Sequence, residues 1–102
     1  MRYEIIFSPE AIQDIRDLKA NVHATVRDAI EVHLRHEPTK ISKSRIKRLR
    51  GLSQPQYRLR VGEMRIFYDV VEEEVHVLAI IPKSKTEDWL KNVGEPDNGS
   101  GI

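Results

Sequence analysis

The sequence predicts an α+β domain: an N-terminal strand and an antiparallel helix hairpin packed on a largely antiparallel sheet, with a short C-terminal helix. Three observations lead there. Apolar residues alternate at Tyr3, Ile5 and Phe7 and again at Tyr57, Leu59 and Val61, the period of half-buried strands. Between these stretches the apolar spacing becomes helical, with one interruption near Ala20-Asn21. Beyond them, Met64–Val71 and Val75–Ile81 are apolar runs joined through Glu72-Glu73-Glu74, which makes three successive strands a meander.

The first strand spans Arg2–Phe7, with Arg2 and Glu4 on the wet side. Ser8-Pro9-Glu10 then starts a helix: Ser8 as N-cap, Pro9 at the first helical position and an acid in the first turn. Ala11, Ile12, Ile15 and Leu18 form its apolar stripe. A second helix runs from about Val22 to His36, turning Val22, Val26, Ala29, Ile30, His33 and Leu34 inward, and Pro38 stops it. Helices joined this tightly form a hairpin whose stripes need a sheet to cover. Thr39–Ser44 is a polar connector, and strand character returns near Arg45–Leu49 and at Gln56–Val61. Gly62-Glu63 suits a two-residue hairpin turn with glycine in the first central position. Pro82 ends the last strand, and Ser84-Lys85-Thr86-Glu87 has capping-box spacing for a helix to about Asn92. Residues 1–93 read as one domain and 94–102 as a disordered polar tail.

With 102 residues, 39% hydrophobic and 32% charged, the chain has the make-up of a single globular domain with one modest core. Cysteine is absent, which excludes disulfides and thiolate chemistry, and no apolar run approaches the ~20 residues of a membrane span. The chain opens on strand residues without a secretory segment, so a cytoplasmic location and no membrane partner are expected. No cofactor motif is present: there is no phosphate-cradling glycine loop, and the His33, His36 and Glu37 group lacks a third strong metal ligand.

The charge is unevenly placed. Residues 40–65 hold nine lysines and arginines against a single carboxylate, Glu63, in a chain whose net charge is only +1. Such a block either is a solvated basic face or presents a cationic surface to an anionic polymer. Arg58 and Arg60 are two apart on one strand and so share a face, and the Gly62-Glu63 hairpin can bring Arg65 beside them. Arginine in an apolar strand is unusual unless paired or functional. For Arg65 the choice is a salt bridge to Glu63 or Asp69, or a bidentate grip on phosphate. Lys83 ends the last strand, and Lys85 and Trp89 are four apart on the final helix. Trp89 could stack on a base or pack that helix on the sheet.

Arg48-Leu49-Arg50-Gly51-Leu52 and then Tyr57-Arg58-Leu59-Arg60-Val61-Gly62-Glu63-Met64-Arg65-Ile66-Phe67-Tyr68 resemble the RelE/ParE superfamily of toxins from bacterial type II toxin–antitoxin systems. The family pattern is a K/R-L-x-G turn, a Y-[KR]-[LI]-[KR] strand and a G-x-[YF]-R-[ILV]-x-Y hairpin, and the likeness runs to about Val93. It implies a helix hairpin over a four-stranded, mostly antiparallel sheet. For RelE-like members it implies mRNA cleavage in the ribosomal A site without a metal, the message's own 2′-OH attacking the adjacent phosphate. The residues it assigns to catalysis are Arg58, Arg60 and Arg65, with Lys83 or Lys85 after the last strand. Trp89 stands where the family has tyrosine, and Arg48 and Arg50 are expected to bind substrate. The implied partners are a cognate antitoxin, the ribosome and mRNA; the toxin alone is expected as a monomer, and as a hetero-oligomer with its antitoxin.

Two departures bear on the chemistry. Lysine and arginine are exchanged relative to many RelE-like enzymes, and Trp89 lacks the tyrosine hydroxyl. A guanidinium is a poor base, its pKa above ~12, so proton transfer falls to Lys83 or Lys85. Three readings therefore stand: a ribosome-dependent endoribonuclease, a ParE-like gyrase inhibitor without chemistry of its own, and a nucleic-acid-binding relative that is not toxic.

Overall fold

The computed structural model describes residues 1–96. In chain order the elements are β1 (Glu4–Phe7), α1 (Pro9–Arg16), α2 (Ala20–Leu34), β2 (Ile46–Arg48), β3 (Leu52–Gln54), β4 (Tyr57–Val61), β5 (Met64–Val71), β6 (Glu74–Pro82), a 3-10 turn (Lys83–Lys85), α3 (Thr86–Val93) and β7 (Glu95–Pro96). The main sheet has the order β1-β6-β5-β4-β2. Within it β1 runs parallel to its neighbour and the other pairs are antiparallel, because the helix hairpin carries the chain across the sheet before β2 begins. The α+β class and the helix hairpin are as the sequence predicts. The main sheet has five strands among the described residues, since β1 and β2 both join it, and β3 with β7 adds a separate two-stranded ladder. Order thus extends past residue 93 into Glu95–Pro96; the rest of the expected tail, residues 97–102, lies outside the described residues.

The core lies between the helix hairpin and one face of this sheet. Ala11 of α1 and Val26, Ile30 and Leu34 of α2 are buried against Ile46, Leu59, Ile66, Tyr68, Val75, Val77 and Ile80. The helical stripe read from the sequence is the buried one, apart from Ile12, which stays exposed. Two boundaries differ. The break between the helices falls at Asp17–Lys19, not at Ala20-Asn21; those two residues open α2, where the Asn21 carbonyl accepts a bond from Thr25 Oγ1. At its other end α2 stops at Leu34, because the Arg35 carbonyl turns to accept the Tyr3 N–H at 2.7 Å.

The α1 N-terminus does two jobs. Ser8 Oγ accepts from the Ala11 N–H at 3.0 Å, the expected cap, and donates to the Leu78 carbonyl at 3.1 Å. Leu78 sits at a bulge in β6, where the register slips between Phe67 and Tyr68. A bulge leaves backbone groups off the ladder. Ser8 satisfies one of them, and past the end of the β1 pairing the Asp14 carboxylate accepts from the Ile80 N–H at 2.9 Å.

Tyr68 carries the deepest polar contact. Its side chain is fully buried, stacked on Tyr57 at 5.4 Å between ring centroids, and its hydroxyl donates to the Pro38 carbonyl at 2.6 Å. Burial pushes the phenol pKa well above its ordinary value, so it remains a donor. Tyr68→Phe leaves the Pro38 carbonyl without that donor and is expected to cost about 1–2 kcal/mol in urea unfolding, with the sheet intact by circular dichroism. His33 gives a pH signature. Burial and then the nearby Arg45 hold its pKa below 6.5, so as pH falls through 6.5 the unfolded chain takes up a proton that the folded chain resists. Stability should therefore drop on going from pH 7.5 to 5.5, and His33→Gln should shrink that drop in paired urea titrations.

Candidate functional site

The face of the sheet away from the helices is built by the period of two. With Tyr57, Leu59 and Val61 turned to the core, Arg58 and Arg60 must point the other way. The same holds on β5, where Ile66 and Tyr68 are core and Arg65 and Phe67 are on the opposite side. Register then sets the neighbours: Arg60 lies opposite Arg65, and Arg58 lies opposite Phe67 on one side and Lys47 on the other. Gly62 holds the two-residue turn at φ +57°, a conformation that suits glycine, and so sets this register. Beyond the turn, the Lys83 N–H donates to the Glu63 carbonyl at 2.8 Å, placing Lys83 beside the same row.

The result is a cleft of about 530 Å³ lined by Lys43, Lys47, Leu49, Arg58, Arg60, Arg65, Phe67, Lys83, Thr86 and Leu90. Six of these side chains are cationic and none is a carboxylate. Arg65 is 6% exposed, and its Nη1 donates to the Gly62 carbonyl at 2.8 Å and the Met64 carbonyl at 2.9 Å. Those bonds lock the guanidinium in place while leaving its charge without a counter-ion among the described residues. The alternative salt bridges do not form. Asp69 stands four residues along the strand, roughly 13 Å away at strand rise, and its carboxylate is taken by Gln54 Nε2 and the Gln56 N–H, each at 2.7 Å. Arg58 is held below the usual arginine range, first by burial and then by Arg65 and Arg60, and its Nε is buried without a hydrogen-bond partner. Three guanidinium groups and an ammonium thus converge with unspent charge. An oxyanion is the ligand such a pocket can hold.

Not every expected residue joins them. Lys85 is exposed on the 3-10 turn and does not line the cleft; Lys83 and Thr86, three residues apart, do. The capping box does not form either: Thr86 Oγ1 donates to the Lys83 carbonyl at 2.9 Å and α3 starts at Thr86, because the chain leaves β6 through the tight turn that fastens Lys83. Arg48 pairs with Tyr57 and therefore faces the other side of the sheet, its Nη1 donating to the Gln56 carbonyl at 2.8 Å and its guanidinium over the Tyr57 ring. Arg50 is exposed in the turn before Gly51. Trp89 packs on Phe67, ring centroids 4.9 Å apart, and is thereby the residue that seats α3 on the sheet. Sequence reasoning does not single out Lys43, Lys47 or Thr86. For Lys47 a signal exists, since Ile46 inward implies Lys47 outward in the Arg45–Leu49 strand; for Lys43, in a polar connector, there is none.

Residues 5–86 match the family model described as the ParE toxin of the type II toxin–antitoxin system parDE. The chain belongs to this family. It is a toxin of the type II toxin–antitoxin class. No curated protein sequence matches it. Among solved structures it is similar to RelE in the RelE–RelB complex of Pyrococcus horikoshii OT3, at TM-score 0.68 and 20% identity over 84% of this chain and 100% of that one. It is similar also to the isolated E. coli RelE toxin, at TM-score 0.64 and 22% identity over 89% and 95%. A third likeness is to the YoeB dimer from Staphylococcus aureus, at TM-score 0.58 and 19% identity over 78% and 94%. At these identities what this ParE-family toxin shares with them is the fold.

Seating of α3 is the property most exposed to mutation here. Trp89→Ala removes the stack on Phe67 and is expected to cost about 2 kcal/mol, below the range for a fully buried tryptophan, while Trp89→Phe should recover most of it. Urea midpoints of the two variants check this, and hydrogen exchange should show faster opening confined to α3 in Trp89→Ala.

Proposed function

We propose that this toxin is an endoribonuclease that cuts mRNA on the ribosome and so blocks translation. The observation that supports the reading is the cleft in which Arg58, Arg60, Arg65 and Lys83 meet without a carboxylate. In the proposed reaction the 2′-oxygen of the message attacks the adjacent phosphorus. The bond from phosphorus to the 5′-oxygen breaks, leaving a 2′,3′-cyclic phosphate and a 5′-hydroxyl. Negative charge grows on the non-bridging oxygens, and the guanidinium groups stabilise it, an effect commonly worth ~3 kcal/mol per donor. Arg65 is suited to this because its backbone bonds hold it in place before substrate arrives. The arginines do not exchange protons at working pH. Lys83, beside the Arg60–Arg65 row, donates the proton that the departing 5′-oxygen needs, and the proton of the 2′-hydroxyl passes to water. A cognate antitoxin covering this cationic cleft, with hetero-oligomers formed only in its presence, fits the same reading, as does action in the cytoplasm.

A second reading rests on two observations: the family match is to ParE toxins, and Trp89 is committed to Phe67 instead of the cleft. On that reading the protein inhibits DNA gyrase by binding and performs no chemistry.

Programmed ribosomes incubated with the toxin separate the two. Cleaved message with 2′,3′-cyclic phosphate ends is the expected result; intact message together with loss of supercoiling by purified gyrase selects the binder. Arg65→Ala, and Arg58→Ala with Arg60→Ala, should each lower cleavage at least ~100-fold with unchanged circular dichroism. Arg65→Lys keeps the charge but not the fork, and should recover only part of the rate.

A further inference from the structure

Resting on the endoribonuclease reading, we propose that the cleft holds two consecutive phosphates of single-stranded RNA, and that Lys43 and Lys47 form the subsite for the phosphate next to the one cleaved. The sheet carries two rows of like charge on this face. Arg60 opposite Arg65 is one, and Lys47 opposite Arg58 is the other. Like charges directly across a ladder repel, and no carboxylate among the described residues lines the cleft to relieve either row. Each row therefore calls for an anion of its own. Residues two apart along a strand are separated by roughly 7 Å, a distance that matches the repeat of an extended polynucleotide backbone, so consecutive phosphates can meet consecutive rows. Lys83 joins the first row through its backbone bond to Glu63; Lys43 lines the cleft with the second. Arg58 belongs to the second row by register; its Nε is buried without a partner, and Arg65 and Arg60 lie near enough to disfavour its charge.

Division of labour follows. The row at the turn, with locked Arg65, meets the reacting phosphate. At β2 the exposed Lys43 and Lys47 grip as mobile point charges; they add affinity and register the strand without touching the reacting atoms. The substrate class is then a single strand with at least two successive phosphates, in preference to a lone dinucleoside monophosphate.

Calorimetric binding of 2′-O-methyl RNA, which cannot be cut by its own 2′-oxygen, tests this with two lengths, a dinucleotide bearing one phosphate and a hexanucleotide. The wild-type toxin should bind the hexanucleotide at least tenfold more tightly. Lys43→Ala with Lys47→Ala should erase most of that preference, weakening hexanucleotide binding far more than dinucleotide binding. The same variant should lower the slope of log affinity against log salt by about 0.7, the value for one phosphate of a single strand no longer neutralised. Arg16→Ala with Lys19→Ala removes equal charge from the exposed side of the helix hairpin and should leave length preference and slope unchanged. An unchanged length preference in the Lys43/Lys47 variant overturns the subsite while leaving the parent reading intact. Absence of RNA binding by the wild type, together with uncut message on ribosomes, overturns both. Equal loss in the two charge-removing variants assigns the effect to net charge and likewise overturns the subsite.

Discussion

The pairing register of β4 and β5 is the constraint on which the rest depends. Leu59 opposite Ile66 and Tyr57 opposite Tyr68 put four large side chains under the helix hairpin, and the same pairing puts Arg60 opposite Arg65 on the far side. A slip of one residue would exchange the faces, burying guanidinium groups against α2 and exposing the aromatic and aliphatic core. Hydrophobic burial therefore enforces the cationic face indirectly. The energy that holds the arginines together comes from the other side of the sheet.

Bringing like charges together opposes folding, and the structure shows how the opposition is contained. Arg65 has backbone carbonyls for partners in place of a carboxylate, so its hydrogen-bonding need is met and its charge is left available. Phe67 and Trp89 form an apolar partition between Arg65 and Asp69 on the same strand face. Asp69 spends its charge on Gln54 and the Gln56 backbone, securing the chain between β3 and β4. A carboxylate within reach of the cleft would have neutralised it. The local strength of the site thus comes as much from what Asp69 is kept away from as from the cations gathered there.

The C-terminal segment serves this arrangement. Lys83 reaches the Arg60–Arg65 row because its N–H is fastened to Glu63 in the β4–β5 turn, and Thr86 and Leu90 of α3 close one wall of the cleft. Trp89 points to Phe67 and holds that wall in place.

What residue order determined by itself was whatever depends on period and on local backbone chemistry. The strand alternation around Leu59 and Ile66, the Ser8-Pro9 helix start, the glycine turn at Gly62 and the shared face of Arg58, Arg60 and Arg65 could all be read from neighbours within a few positions. Tertiary structure alone decided which distant groups complete the site. Lys83 and Lys85 were both candidates and Ser84 looked like a cap, but the turn that a backbone bond to Glu63 fastens presents Lys83, with Thr86, and leaves Lys85 outside the cleft. Arg48 belongs to the same basic block as Lys47, yet pairing with Tyr57 sends it to the opposite face. Lys43 and the β3–β7 ladder carry no local signal, because a short segment without a strong period takes its conformation from whatever the larger sheet packs against it.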